Sequence, residues 1–160
     1  MNAPRICVAG AGAVGSVLAA HLAMAGLSVS ILARGERRAA LAREGLRYSA
    51  LGEPEVRLDI PVGNASELGV QDIVFTAVKA QALAGLVEDI RTLSGKSTMI
   101  IPLVNGIPWW FFHGGAHAEA ANRPRVQSVD PVGALAAGIA PHNIVGAVVY
   151  LTATLDVWMV

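Results

Sequence analysis

The chain has 160 residues, a formal net charge of zero and 15% charged residues, which is enough sequence for one domain. Proteins that bind nucleic acid neutralise phosphates with a positively charged surface, so this charge balance excludes nucleic acid as the expected partner. Cys7 is the single cysteine. It cannot form an internal disulfide, and we expect a small buried side chain in a reducing, cytoplasmic compartment.

The first predicted elements are a strand over residues 6–9 and a helix that begins in the sequence Gly-Ala-Gly-Ala-Val-Gly. In this fingerprint the first glycine permits a tight turn, the second lets the backbone approach a pyrophosphate, and the third lets the helix pack on the strand. Apolar residues then recur at helical spacing: Val14, Val17, Leu18, Leu22 and Ala25. The residues predicted to bind the pyrophosphate are Gly10, Ala11, Gly12, Ala13, Val14 and Gly15.

A membrane span is the alternative for this region, because residues 6–33 contain no Asp, Glu, Lys or Arg and are long enough to cross a bilayer. The glycine turn and Gly26, however, divide the stretch into a strand, a helix and a second strand. Buried parallel strands also have continuous apolar sequences. We therefore expect no membrane span.

The end of the second predicted strand, over residues 29–33, indicates the coenzyme. In sites that prefer NAD, an acidic residue near this point accepts a hydrogen bond from the ribose 2′-hydroxyl. This chain has Arg34 there, which suits a 2′-phosphate and predicts NADP. Glu36 leaves the choice between NADP and NAD open, and Arg37 and Arg38 either add to the positive field or face solvent. Flavin and nucleotide-sugar enzymes usually have an acid at this position, so Arg34 argues against them.

Predicted strands and helices continue to alternate after this point. They are a helix over 36–44, strands over 46–50, 56–60 and 72–79, a helix over 80–93, a strand over 97–103, and, after a turn at 130–131, an apolar stretch over 144–154. The alternation predicts a single α/β domain with a doubly wound, mostly parallel sheet of Rossmann type. Ligands bind such sheets outside the carboxyl ends of the strands. We expect Lys79 and Asn105 to join Arg34 and the glycine turn there.

The histidines and aromatic residues are weaker evidence for a functional site. Residues 109–112 read Trp-Trp-Phe-Phe, and we expect them to begin a short helix and to pack in the core. His113 and His117 have the spacing of a metal-binding pair on a helix, but glycines separate them and a third ligand is lacking, so no metal site is predicted. His21 lies among the apolar positions of the first helix and is predicted to be buried or at an interface.

Four motifs together resemble the amino-terminal domain of ketopantoate reductases, which are also called 2-dehydropantoate 2-reductases. They are Gly-Ala-Gly-Ala-Val-Gly-Ser at 10–16, Leu-Ala-Arg-Gly at 32–35, Ala-Val-Lys-Ala at 77–80 and Val-Asn-Gly-Ile-Pro-Trp-Trp at 104–110. The resemblance extends from residue 6 to about residue 154. It is more specific than any one motif, because the order and spacing of all four agree.

The resemblance implies an NADPH-dependent oxidoreductase that reduces a 2-oxo acid to a 2-hydroxy acid, namely 2-dehydropantoate to pantoate in pantothenate biosynthesis. It implies that residues 10–15 hold the pyrophosphate and that Arg34 binds the 2′-phosphate. It also implies that Lys79 and Asn105 line the crevice for coenzyme and substrate. No residue of this chain is assigned with certainty as catalytic.

Proteins of the family continue into a helical domain that supplies the general-acid lysine. We expect residues 5–154 to form the NADP-binding domain, residues 155–160 to be an atypical tail, and the helical domain to be absent, as in a truncated, frame-shifted or natural short form. This predicts coenzyme binding with little activity, and self-association through the face that the missing domain leaves. The alternative is a non-catalytic NADP-binding module or a half-site that needs a partner chain.

Overall fold

A computed structural model of the chain describes residues 3–113 and 124–155. The strands are β1 (Ile6–Ala9), β2 (Val29–Leu32), β3 (Leu46–Tyr48), β4 (Val56–Leu58), β5 (Val62–Gly63), β6 (Gln71–Thr76) and β7 (Ser94–Pro102). The α-helices are α1 (Ala13–Met24), α2 (Gly35–Glu44), α3 (Ala65–Leu68), α4 (Val87–Leu93) and α5 (Ala134–Gly138). Short 3₁₀ helices are formed by Ala80–Leu86, Phe111–His113 and Pro141–Asn143.

In the described part of the chain, five strands form one sheet in the order β5-β2-β1-β6-β7. Every neighbouring pair in it is parallel. Helical segments connect its strands in the α/β pattern that the sequence predicts. The predicted doubly wound, Rossmann-type sheet is therefore confirmed. The direction of winding reverses on either side of β1, since β2 and β6 are its two neighbours, and such a reversal opens a ligand crevice at the carboxyl ends.

Strand β1 is buried on both faces of the sheet. Ile6 and Val8 belong to the core cluster that holds the buried alanines of α1. Cys7 and Ala9 belong to the cluster that holds the buried side chains of α4 and α5. Alternate residues of a strand point to opposite faces, so helices cover both faces of the sheet.

Helix α1 forms where the sequence predicts it, and its buried residues are all small ones. Its buried residues are Gly15, Ser16, Ala19 and Ala20. The larger predicted residues, such as Val17 and Leu18, remain partly exposed. Small side chains let the helix axis approach the sheet closely, and the valine and leucine side chains then lie along the flanks of the contact.

The predicted helix over 80–93 is wrong as a single α-helix. Residues 80–86 form a 3₁₀ helix and α4 follows directly. Gly85 lies near the junction, and glycine weakens an α-helix. The neighbouring strands also differ from their predicted bounds, because β6 ends at Thr76 and β7 begins at Ser94. Lys79 therefore follows the end of β6 by three residues.

Strands β3 and β4 form an antiparallel hairpin outside the main sheet. They are shorter than the predicted strands over 46–50 and 56–60. His21 packs against this hairpin, where its Nε2 atom lies 2.9 Å from the hydroxyl of Tyr48. Of the two alternatives predicted for His21, burial is wrong, since its side chain is exposed and has its polar partner at the surface, whereas a position at an interface stays a prediction.

Trp109 is buried, as predicted for core packing, whereas Phe111 is exposed. The short helix predicted at this point is the 3₁₀ helix Phe111–His113. His117 lies outside the described residues, as does most of the predicted tail. Over residues 3–113 and 124–155, no helix combines the length and the apolar character that crossing a bilayer requires.

The thiol of Cys7 provides a test of the buried central strand. The side chain is fully buried, and burial raises its pKa to about 11. Because the thiolate is the reactive form and burial also blocks access to it, we expect a disulfide reagent at pH 8 to label the native chain at least about a hundredfold more slowly than the unfolded chain. Labelling in buffer and in guanidinium chloride measures this ratio. Equal rates under the two conditions would contradict the buried position of β1.

Candidate functional site

The turn between β1 and α1 has two glycines that the fold itself requires. Gly10 has φ of 119°, and a Cβ atom on it would lie 2.7 Å from the carbonyl oxygen of Ala77. A Cβ atom on Gly15 would lie 2.0 Å from the carbonyl oxygen of Gly10. Side chains at these two positions would collide with backbone. The first and third glycines therefore close the turn and seat the helix on it.

Gly12 has no such requirement. It is exposed, its φ of −76° is open to any residue, and the nearest atom to a Cβ built on it is the carbonyl oxygen of Ala77 at 4.0 Å. It is the N-cap of α1, yet it provides no side-chain cap, and the first turn holds no acidic residue. The first N–H groups of the helix, at Ala13, Val14 and Gly15, have no acceptor within the helix. Open backbone at a positive helix end suits an anion.

A cavity of about 270 Å³ lies beside this turn. One wall comes from the ends of β1 and β2 and the start of α2, and the other from the segment after β6. Its lining residues are Gly10, Ala11, Leu32, Ala33, Arg34, Arg37, Val78, Ala82, Gly85 and Leu86. The lining is apolar except for two arginines at one side, so it suits a flat apolar group that carries an anionic substituent.

Arg34 reaches across this cavity. It follows β2, and its side chain is 63% exposed. Its Nη2 atom donates to the carbonyl oxygen of Gly85 at 3.2 Å and forms an ion pair with the carboxylate of Asp89. Arg34, the residue predicted to bind a phosphate, is therefore held by an acidic residue of α4, the helix that follows the opposite wall.

Arg37 lies closer to the glycine turn. Its Nε atom donates to the carbonyl oxygen of Ala11 at 3.1 Å, and its Nη2 atom lies 3.3 Å from the hydroxyl oxygen of Ser16. Burial lowers the pKa of this guanidinium from its usual value, but an arginine stays protonated at neutral pH. Arg38, in contrast, is paired with both carboxylate oxygens of Glu67. Among the described residues, Arg37 has no carboxylate partner and is the uncompensated cation of the cavity.

Lys79 and Asn105 lie at the same edge of the sheet, because β6 and β7 are parallel and both residues follow their carboxyl ends. Neither one lines the cavity. Lys79 is exposed. The side-chain amide of Asn105 forms two hydrogen bonds of 3.3 Å with the backbone of Val149, so it holds the later apolar segment against this edge.

The structure brings the predicted residues to one edge and adds others. Gly10, Ala11 and Arg34 line the cavity, and the remaining fingerprint residues begin the adjacent helix. The sequence analysis did not include Asp89 or the wall formed by Val78, Ala82 and Leu86. The sequence analysis also assigned no specific contact to Arg37. Residues three apart lie on the same side of a helix, so the spacing between Arg34 and Arg37 could have indicated that both face the cavity. No group of three potential metal ligands occurs in the described ranges.

The family model described as ketopantoate reductase PanE/ApbA matches residues 6–156. The chain belongs to this family. It is 40% identical over 154 residues to the 2-dehydropantoate 2-reductase of Mesorhizobium japonicum, an alignment that covers 95% of this chain and 46% of that protein. The family assignment confirms the resemblance that the four motifs indicate.

Solved structures agree with this assignment. A candidate ketopantoate reductase from Ralstonia solanacearum MolK2 has a TM-score of 0.88 at 41% identity, over 97% of this chain and 48% of that one. A D-mandelate dehydrogenase solved with NADH and anilino(oxo)acetate has a TM-score of 0.58 at 29% identity, over 65% of this chain and 34% of that one. The chain thus spans about half the length, or less, of these relatives.

Mutation can test whether a glycine of the turn is required by the fold, as Gly15 is, or has room for a side chain, as Gly12 has. We expect Gly15→Ala to destabilise the fold by about 3 kcal/mol or more, because its Cβ has no room beside the Gly10 carbonyl. Gly12→Ala has space for the added methyl and should change the free energy of unfolding by about 1 kcal/mol at most. Chemical denaturation followed by circular dichroism measures both.

Gly146→Ala is the matched control, since Gly146 also has a permissive φ and no neighbour within 4 Å of its Cβ position. Loss of stability in Gly12→Ala comparable to that in Gly15→Ala would contradict the assignment of open space above Gly12.

Proposed function

We propose that this chain provides the coenzyme-binding part of an NADPH-dependent 2-oxo acid reductase of ketopantoate reductase type. The observation that carries the proposal is Gly12. Its conformation and packing give the fold no reason to exclude a side chain, whereas a pyrophosphate against the start of α1 does. Membership of the family supports 2-dehydropantoate as the substrate, in pantothenate biosynthesis in the cytoplasm.

In this proposal, the coenzyme diphosphate accepts hydrogen bonds from the free N–H groups at the start of α1. The adenosine lies in the apolar cavity beside the turn, against Val78, Ala82 and Leu86. Arg34, at the end of β2, binds the 2′-phosphate. Arg37 adds a second positive charge between the cavity and the turn, and its contact with Ala11 fixes it close to the diphosphate.

The preference for a phosphorylated coenzyme rests on the charges around the cavity. Both of its charged lining residues are arginines, and Glu36, the acid nearest the end of β2, is exposed and does not line the wall. The D-mandelate dehydrogenase relative was solved with NADH, so the fold accommodates nicotinamide coenzymes. Arg34 is the feature of this chain that favours NADPH over NADH.

When bound, the coenzyme would supply the hydride that reduction of the 2-oxo acid requires. Lys79 and Asn105 lie at the sheet edge that this proposal assigns to the reacting end of the coenzyme, where a cation and an amide can attract and orient a carboxylate substrate. Reduction also needs a proton donor within hydrogen-bond reach of the carbonyl oxygen and a site that excludes water. We assign those requirements to the part of the family fold beyond these 160 residues, in the helical domain.

The experiment is a fluorescence titration of the 160-residue chain with NADPH, NADH and FAD, followed by a turnover assay with 2-dehydropantoate. We expect NADPH to bind, FAD not to bind, and Gly12→Ala to weaken NADPH binding at least about tenfold, because its methyl group occupies the space that the diphosphate needs. Gly146→Ala should bind as the unmodified chain does. Turnover should be about a hundredfold or more below that of a full-length relative, because a positioned acid alone contributes about 10² to 10⁴ in rate.

Absence of NADPH binding by folded protein would contradict the proposed function. Binding that Gly12→Ala leaves unchanged would contradict the assigned role of the turn. A rate equal to that of a full-length relative would show that the 160 residues are sufficient for catalysis. It would contradict the proposal that the helical domain supplies the proton donor and excludes water.

The edge that carries Asn105 also exposes large apolar side chains. Ile107, Phe111, Val148 and Tyr150 are all exposed, and the hydrogen bonds between Asn105 and Val149 bring their two segments together. Exposed apolar groups of this kind favour association. We expect the 160-residue chain to self-associate through this face at micromolar concentration. Sedimentation velocity over a concentration series checks this, and a monomer at every concentration would contradict it.

A further inference from the structure

We propose that Asp89 sets how strongly the site prefers a coenzyme with a 2′-phosphate, by occupying the nitrogen of Arg34 that the phosphate needs. This inference rests on the proposed function and concerns the same cavity. Asp89 is a positioning residue in this account, because it acts through Arg34 and does not itself line the cavity.

The contacts of Arg34 all use one nitrogen. Its Nη2 atom donates both to the carbonyl oxygen of Gly85 and to the carboxylate of Asp89. Nη2 carries two N–H groups, and these two acceptors already draw on them. Nε and Nη1 make no hydrogen bond or ion pair with the described residues. The guanidinium therefore contacts the other side of the cavity through Nη2 alone.

A guanidinium binds a phosphate most strongly through two parallel N–H donors. It has two edges that offer such a pair, one formed by Nε with Nη2 and the other by Nη1 with Nη2. Both edges include Nη2. A 2′-phosphate can therefore form a two-point contact with Arg34 only by displacing Asp89 or Gly85 from that nitrogen.

Charge adds to this competition. The Asp89 side chain is only 20% exposed, so its carboxylate depends on Arg34 more than a fully solvated one would. A phosphate at Arg34 would lie beside this carboxylate and be repelled by it. The neighbouring cation Arg91 is paired with Glu88 and does not replace Arg34. NADH has a neutral 2′-hydroxyl, which leaves the pair between Arg34 and Asp89 intact.

Removing the charge of Asp89 should therefore raise the affinity for NADPH and leave the affinity for NADH nearly unchanged. Asp89→Asn keeps the size of the side chain and weakens its hold on Nη2, since a neutral acceptor binds a guanidinium less strongly than a carboxylate. We expect this variant to bind NADPH roughly five- to tenfold more tightly. Its affinity for NADH should stay within about twofold of the unmodified chain.

The experiment measures dissociation constants for NADPH and NADH on the 160-residue chain and its variants by fluorescence titration. Glu88→Gln is the matched control, because it removes one negative charge from the same first turn of α4 without touching Arg34. It should leave the ratio of the two dissociation constants unchanged. Arg34→Met alone and combined with Asp89→Asn completes a double-mutant cycle. Asp89→Asn should change the ratio much less without Arg34, because only the direct repulsion between the carboxylate and the phosphate is then removed.

The outcomes separate this inference from the proposed function. If folded protein binds neither coenzyme, the proposed function fails. If both coenzymes bind and Asp89→Asn leaves their ratio unchanged, or weakens NADPH binding, the competition is refuted while the proposed function stands. An equal increase of NADPH affinity in Glu88→Gln would also refute the competition. The effect would then come from the loss of any negative charge on α4 and not from the release of Nη2.

Discussion

The start of α1 is fixed by the packing of Gly15 against the carbonyl oxygen of Gly10, where even a methyl group has no room. This contact forces the chain to turn immediately after β1 and to begin the helix at the edge of the sheet. The small buried residues that follow, Ser16, Ala19 and Ala20, keep the helix close to the sheet over its length. The unpaired N–H groups at the helix start are thereby placed beside the crevice next to β1.

The parallel sheet brings the other candidate residues to the same place from distant parts of the sequence. Arg34 follows β2, Lys79 follows β6 and Asn105 follows β7, so each of them extends the carboxyl end of a strand. The apolar cavity lies between the segments after β2 and β6, next to the turn after β1. This arrangement gives one edge of the sheet a glycine turn with free N–H groups, an apolar cavity and positive charge, and the proposed binding of a phosphorylated dinucleotide rests on these three features.

Local patterns were sufficient to predict the alternating fold, the glycine turn and the position of Arg34, because each depends on a few neighbouring residues. Contacts between distant segments could not be read in this way. Asp89 meets Arg34 across 55 positions of sequence, and Asn105 meets Val149 across 44. The helical spacing of apolar residues in α1 likewise does not show which of them are most deeply buried, since close packing against a sheet requires small side chains. His21 is exposed and not buried, because its partner, Tyr48, belongs to a hairpin outside the main sheet.

The central claim is that main-chain N–H groups at the start of α1 bind the diphosphate of a nicotinamide coenzyme. The most direct measurement is a ¹H–¹⁵N correlation spectrum of the 160-residue chain during titration with NADPH. The account predicts the largest shifts at the amides of Gly12, Ala13 and Val14, with smaller ones along the cavity wall at Ala82 and Gly85. Saturable binding that leaves the amides of the turn unchanged would contradict it.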